Sequence, residues 1–274
     1  MNETQLLQEL NADLQESPAK KVLYLEGKTD TPIFFALLGR DEPRDGLHQG
    51  VLVRGLHEKS GSGKRSVRDR VELAQKRGYS GIWGIVDGDG EALWQLSATF
   101  DMPFAGPLFR WKAYAIENLL VKTGWPIPWG VAPDWTQVFL QYAPYIGLNH
   151  VHRILKGHLE TLRIAQFSRP KPFEPLLTVA DVEQALTRDR DLIYGYDVAD
   201  VFNKKVAEFE TLVRTSLDEA HALLNGKWLT DAFAPHHCQR GVDACRQQWI
   251  THAISAGGIL EVRTLWHRLT GKVP

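Results

Sequence analysis

Three short apolar runs constrain this chain most, because each stops abruptly at a polar string rich in glycine. Lys21–Leu25 (KVLYL) runs into Glu26-Gly27-Lys28-Thr29-Asp30. Val51–Val53 leads to Gly61-Ser62-Gly63-Lys64-Arg65, and Gly81–Val86 (GIWGIV) runs into Asp87-Gly88-Asp89-Gly90. Short apolar runs bounded by such breakers read as buried strands. Between them the spacing lengthens to that of a helix. Thr31-Pro32 offers an N-cap and a proline at the first helical position. Ile33, Phe34, Phe35, Leu37 and Leu38 fill that helix and Gly39 ends it; Ser66–Arg77 is a second helix, closed by Gly78. Leu108–Trp111 is a candidate fourth strand. Strand and helix in alternation, with short links, predict an α/β fold: a parallel sheet with right-handed crossovers, flanked by helices.

The pattern changes near residue 122. Lys122–Asp134 (KTGWPIPWGVAPD) is rich in Pro, Gly and Trp and reads as a joint, and helical periodicity dominates beyond it, most clearly over Val179–Thr187 and Val201–Leu223. Before the first strand, Leu6, Leu7, Leu10 and Leu14 mark one face of an amphipathic helix. The expected organisation is therefore an N-terminal helix in residues 1–19, an α/β domain in 20–125 and a mostly helical region in 126–274. Lys and Arg number 32 against 33 Asp and Glu, which excludes a globally basic nucleic-acid coat but permits a local basic groove. Two cysteines among 274 residues exclude a disulfide framework. No apolar run reaches the roughly 18 residues of a bilayer span, and the start lacks the basic and apolar regions of a signal peptide. A cytoplasmic protein with no membrane role is the expectation.

Ligands of open parallel sheets bind beyond the C-terminal ends of the strands, so the strings after the strands are where chemistry belongs. Asp87 and Asp89 are two apart, which puts both side chains on one side of an extended segment. With Glu26 they make three hard carboxylate ligands of the kind Mg²⁺ takes. The alternative for a lone D-G-D-G is an ordinary turn. GSGK invites a phosphate-loop reading, which fails: Glu58 stands where the first glycine belongs, and Arg65 where Ser or Thr must follow the lysine. Residues 54–77 nevertheless hold eight basic side chains against three acidic ones. Arg54, Lys59, Lys64, Arg65 and Arg68 are thereby candidates for binding a nucleic-acid backbone. His236, His237, Cys238, Cys245 and His252 fit no common zinc spacing. Trp125, Trp129 and Trp135 are better read as packing than as base-stacking residues.

Taken in order, Val22–Asp30 and Ile85–Asp89 resemble the first and second motifs of the TOPRIM domain. The first is a strand ending in Glu-Gly with Asp shortly after; the second is a strand ending in D-x-D. Gly61–Lys64 resembles the glycine-lysine loop of the OLD-type branch. Ala115–Leu120 (AIENLL) and Leu224–Leu229 (LNGKWL) resemble elements of stand-alone bacterial TOPRIM proteins that act as anti-phage effectors beside an ABC-type ATPase. The resemblance covers residues 20–121 well and the remainder only through short elements. It implies a TOPRIM (Rossmann-like) fold and a nuclease dependent on Mg²⁺ or Mn²⁺. Glu26 would be the catalytic carboxylate, Asp87 and Asp89 the metal ligands, Glu117 a further ligand or an orienter of the ligands, and Asp30 a ligand or the cap of the following helix. Lys64 or Lys227 would stabilise charge on the phosphoryl group. It also implies RNA, tRNA above all, ahead of DNA as substrate, and restraint by the ATPase partner; a homodimer is a further expectation, since a lone active site cuts one strand per event. Two other readings stand beside it: an OLD-type DNA-nicking enzyme, and a regulatory module that binds a metal or nucleotide without turnover.

Overall fold

The computed structural model describes residues 2–42, 44–56, 63–88, 106–162, 198–227, 229–230 and 241–271, with backbone only at 148–149, 151–162, 198–199 and 242. The chain forms two compact units: residues 1–131 together with 225–274, and residues 132–224. The expected helical region from residue 126 onward is thus divided, its stretch from 225 to the end belonging with the α/β part.

In the first unit, α1 (Glu3–Glu16) is followed by β1 (Lys21–Leu25), α2 (Asp30–Leu37), β2 (Gly46–His48), β3 (Val51–Gly55), α3 (Lys64–Lys76), β4 (Ile82–Val86), β5 (Leu108–Arg110) and α4 (Ile116–Lys122). The five strands lie in the order β2-β3-β1-β4-β5. β1 pairs in parallel with β3 and β4, and β4 with β5, while β2 runs antiparallel to β3. This is a mixed, mostly parallel sheet flanked by helices. The short edge strand β2 has no apolar run, so periodicity gives no sign of it. A second departure is at α2, which begins at Asp30 rather than after Thr31. The Asp30 carboxylate accepts the Gly27 N–H at 3.0 Å, and the helix starts two residues earlier.

One face of the sheet (Val22, Tyr24, Leu52, Ile82, Val86) is covered by Val67, Leu73 and Ala74 of α3 and by Leu6, Leu10 and Leu14 of α1. The leucine stripe of α1 is core. Polar bonds reinforce it: Asp13 accepts the Tyr24 hydroxyl at 2.7 Å and Arg54 Nε at 3.1 Å, and Glu16 pairs with the same arginine. Arg70, 1% exposed, reaches Glu9 and lies over the Tyr24 ring. α2 packs with α4 and with the later helix Val242–Ser255. Leu10→Ala should lower stability by about 2–5 kcal/mol, the usual range for emptying a buried leucine site. Urea unfolding measures it, and a loss below about 0.5 kcal/mol would mean that α1 is detachable.

The second unit holds α5 (Trp135–Leu162), α6 (Val198–Thr215) and α7 (Leu217–Leu223), with α5 packed along α6. The single helix expected over Val201–Leu223 is two, separated at Ser216, whose φ of −150° and ψ of 89° are not helical. Val179–Thr187 lies outside the described residues. The chain then returns to the first unit at residue 225, is helical at 226–227 and 229–230, and continues as α8 (Val242–Ser255) and α9 (Leu260–Thr270). Trp125, Trp129 and Trp249 of α8 meet edge to face at 4.6–5.7 Å, while Trp135 leans on Phe139 in the second unit. Phe34 and Phe35 of α2 pack edge-on against Trp266 of α9. Among the described residues no helix is long and apolar enough to cross a membrane. Cys245 is buried, and Cys238 lies outside the described residues.

Candidate active site

β1 and β4 are neighbours in parallel, so the residues that follow them emerge side by side. Glu26 Oε1 accepts the Asp87 N–H at 2.7 Å, which ties the two strand ends together. Asp87 in turn accepts the Ile116 N–H at 3.0 Å through Oδ1. That bond sets the carboxylate on the first turn of α4, where a negative charge is favoured. Gly88 makes this junction possible: a Cβ there would lie 2.1 Å from the Ala113 carbonyl oxygen. Asp30 enters from the start of α2 and Glu117 from the start of α4; both are buried, as is Asp87. Lys227, exposed at its rim, stands in the first turn of a short helical stretch that begins at Gly226, capped by Asn225, just after the chain re-enters this unit.

These groups act on one another electrostatically. Burial pushes the Asp87 carboxyl well above the usual carboxylate range, and the charges of Glu26, Asp30 and Glu117 push it further. Burial likewise raises Asp30 and Glu117, against the pull of Lys227. For Lys227 itself, burial favours the neutral amine, but Glu117, Asp87, Asp30 and Glu26 together outweigh it, and its proton is held more tightly than an ordinary lysine's. Four carboxylates thus share one field, eased by Lys227 and more weakly by Arg246 of α8, which acts on both Asp30 and Glu117.

The donor set suits a hard divalent cation: carboxylate oxygens, made costly by burial and mutual repulsion. Glu117 Oε2 adds a specific sign, being buried without a hydrogen-bond partner, a condition that buried polar atoms rarely tolerate. Among the described residues, no three Asp, Glu, His or Cys side chains already form a ready metal cage. Asp89 lies outside the described residues, as does Lys59.

The basic candidates separate. Arg54 is committed to Asp13 and Glu16 of α1. Lys64, Arg65 and Arg68 sit in the first half of α3, Arg65 and Arg68 exposed. The residue before them, Gly63, donates its N–H to the Glu26 carbonyl at 3.1 Å, so α3 starts beside the strand end that bears Glu26. The sequence reading did not single out Arg246, Asn118 or Gly226 as site residues. Asn118 and Gly226 stand inside the AIENLL and LNGKWL strings, whereas Arg246 reaches the site only through the packing of α8 and carries no local signal. Compared with models of protein families, with curated proteins and with solved structures, the chain finds no match in any of the three.

Proposed function

We propose that this chain is a metal-dependent endonuclease of the TOPRIM kind. In this reading it is a toxic effector of bacterial anti-phage defence that cuts RNA, tRNA in particular, under the control of an ABC-type ATPase. The observation that carries the reading is the union of Glu26 and Asp87 at adjacent parallel strand ends, with Asp30, Glu117 and Lys227 in the same field. Asp87, Glu26, Glu117, Asp30 and, by its place in the D-x-D string, Asp89 are the residues that would hold Mg²⁺ or Mn²⁺. When bound, such an ion lowers the pKa of its water and offsets charge on the phosphoryl group. Glu26 is only partly buried, and is the carboxylate with access to accept or return a proton at the attacking or leaving oxygen. Lys227 supplies a fixed positive charge for a non-bridging phosphate oxygen. Lys64, Arg65 and Arg68 supply phosphate contacts, which orient a backbone without reading its bases. One such site cuts one strand per event, so a homodimer suits a duplex substrate.

The test is toxicity and RNA integrity in bacteria expressing the chain with its ATPase partner and a phage trigger, wild type against Glu26→Ala and Asp87→Ala. Discrete tRNA fragments from the wild type alone are the expected result. Fragmented chromosomal DNA with intact tRNA would instead favour DNA nicking, and equal toxicity from all three would end the nuclease reading.

A further inference from the structure

Asn118 does more than occupy α4 beside Glu117. It is fully buried, and its Oδ1 accepts two backbone N–H groups at 3.0 Å. One belongs to Ala115, immediately before the helix. The other belongs to Gly226, 108 residues further along. The second turn is fitted to the first with no room to spare. A Cβ on Gly226 would stand 2.4 Å from Asn118 N, 2.6 Å from its Oδ1 and 2.9 Å from the Glu117 carbonyl carbon. Asn225 then accepts the Lys227 N–H through its own side chain at 3.0 Å, fixing the direction in which the chain leaves. The lysine that bears on all four carboxylates is therefore held by one carboxamide at the root of Glu117.

We infer that Asn118 is a positioning residue: it pins the helix start at Asn225–Lys227 to the start of α4 and so sets the Lys227 ammonium against Glu117 and Asp87. The chemistry requires it because a buried carboxamide oxygen can satisfy two N–H groups at once, whereas an aliphatic side chain would strand both. Lys227 is exposed and its flexible four-carbon stem would, without a pinned backbone, spread its charge over many positions. For its consequence in catalysis, the inference rests on the nuclease reading. Its structural content does not.

The experiment has two arms on the purified full chain. In the first, amide hydrogen exchange is followed at Gly226 and Lys227 and, as reference, along β1 and β4. Asn118→Ala should speed exchange in the turn at least tenfold and leave the strands unchanged. Gly226→Ala, whose added Cβ would clash with Asn118 and push the turn off while keeping the Asn118 carboxamide, should do the same and serves if Asn118→Ala folds poorly. Unchanged exchange in the turn of either variant overturns the inference. In the second arm, single-turnover cleavage of tRNA with Mg²⁺ should fall about 10–100-fold in Asn118→Ala, as for a charge displaced by about an ångström, with KM changed less than twofold. In a Lys227→Ala background the same substitution should cost less than threefold. A full loss in both backgrounds would mean that Asn118 acts only as a structural residue, which overturns the positioning role. A wild type inactive on RNA and DNA alike would sink the nuclease reading, and exchange at the turn would still decide whether Asn118 pins it.

Discussion

Glu26→Gln and Asp87→Asn should each lower the rate of nucleic-acid cleavage on the order of 10³-fold while leaving the fold intact. The magnitude follows from what is removed. Charge stabilisation at a phosphoryl group by a bound cation is worth several kcal/mol, and about 4 kcal/mol corresponds to roughly 10³ in rate. Both substitutions keep shape and hydrogen bonding. The carboxamide oxygen introduced by Glu26→Gln can still accept the Asp87 N–H. The one introduced by Asp87→Asn can still accept from Ile116. These are the two contacts that join β1, β4 and α4. What disappears is a negative charge at the strand ends. Single-turnover cleavage at saturating protein, with circular dichroism to check folding, makes the measurement. Glu26→Gln cutting within threefold of the wild type would remove Glu26 from the catalytic role. Arg54→Ala is the informative contrast: its charge is engaged by Asp13 and Glu16, so it should cost stability rather than nucleic-acid affinity. Arg65→Ala and Arg68→Ala, both exposed, should weaken binding and flatten its salt dependence.

Much of the sheet was legible in the sequence, for a physical reason. A strand buried on both faces must be a continuous apolar run, and KVLYL matches β1 residue for residue, with β3, β4 and β5 within two residues of their expected bounds. The acidic side chains at strand ends were legible too, since the chain has to leave a parallel sheet where the apolar run ends. Pairings across the sequence were not. Nothing in the run of arginines from Arg54 to Arg77 distinguishes one that is free for phosphate from Arg54 or Arg70, both taken up by acids of α1. The break at Ser216 between two helices was hidden for a related reason. Apolar spacing continues across it, and the interruption lies in the backbone angles alone. Lys227 was reached only by resemblance to other proteins, because Glu117, Asp87, Asp30 and Glu26 all lie far earlier in the chain and no local period marks them.

The buried carboxylates also dictate how the metal-free protein responds to pH. Asp87, Asp30 and Glu117 are all raised above their ordinary values, with burial the first cause in each. A folded state that binds a proton more tightly than the unfolded chain is favoured where that proton is present. The contribution of these three groups is therefore complete below about pH 4, the ordinary carboxylate value. It is lost progressively as pH rises from there through the raised values of the folded state. In EDTA at neutral pH the site is then a standing cost to the fold, and Asp87→Asn should remove part of it. We expect the variant to be more stable than the wild type by about 1–2 kcal/mol, as is common when a functional site is neutralised. Its stability should also fall less between about pH 5 and 8. Millimolar Mg²⁺ should reverse the order, because an ion that binds only the folded wild type adds stability by mass action and the variant has lost a ligand. Urea unfolding of both proteins at several pH values, with EDTA and with Mg²⁺, reads all of this without any substrate. A wild type that gains stability over that same pH interval in EDTA would contradict a strained carboxylate cluster. One that gains nothing from Mg²⁺ or Mn²⁺ would show that the cluster is not a metal site.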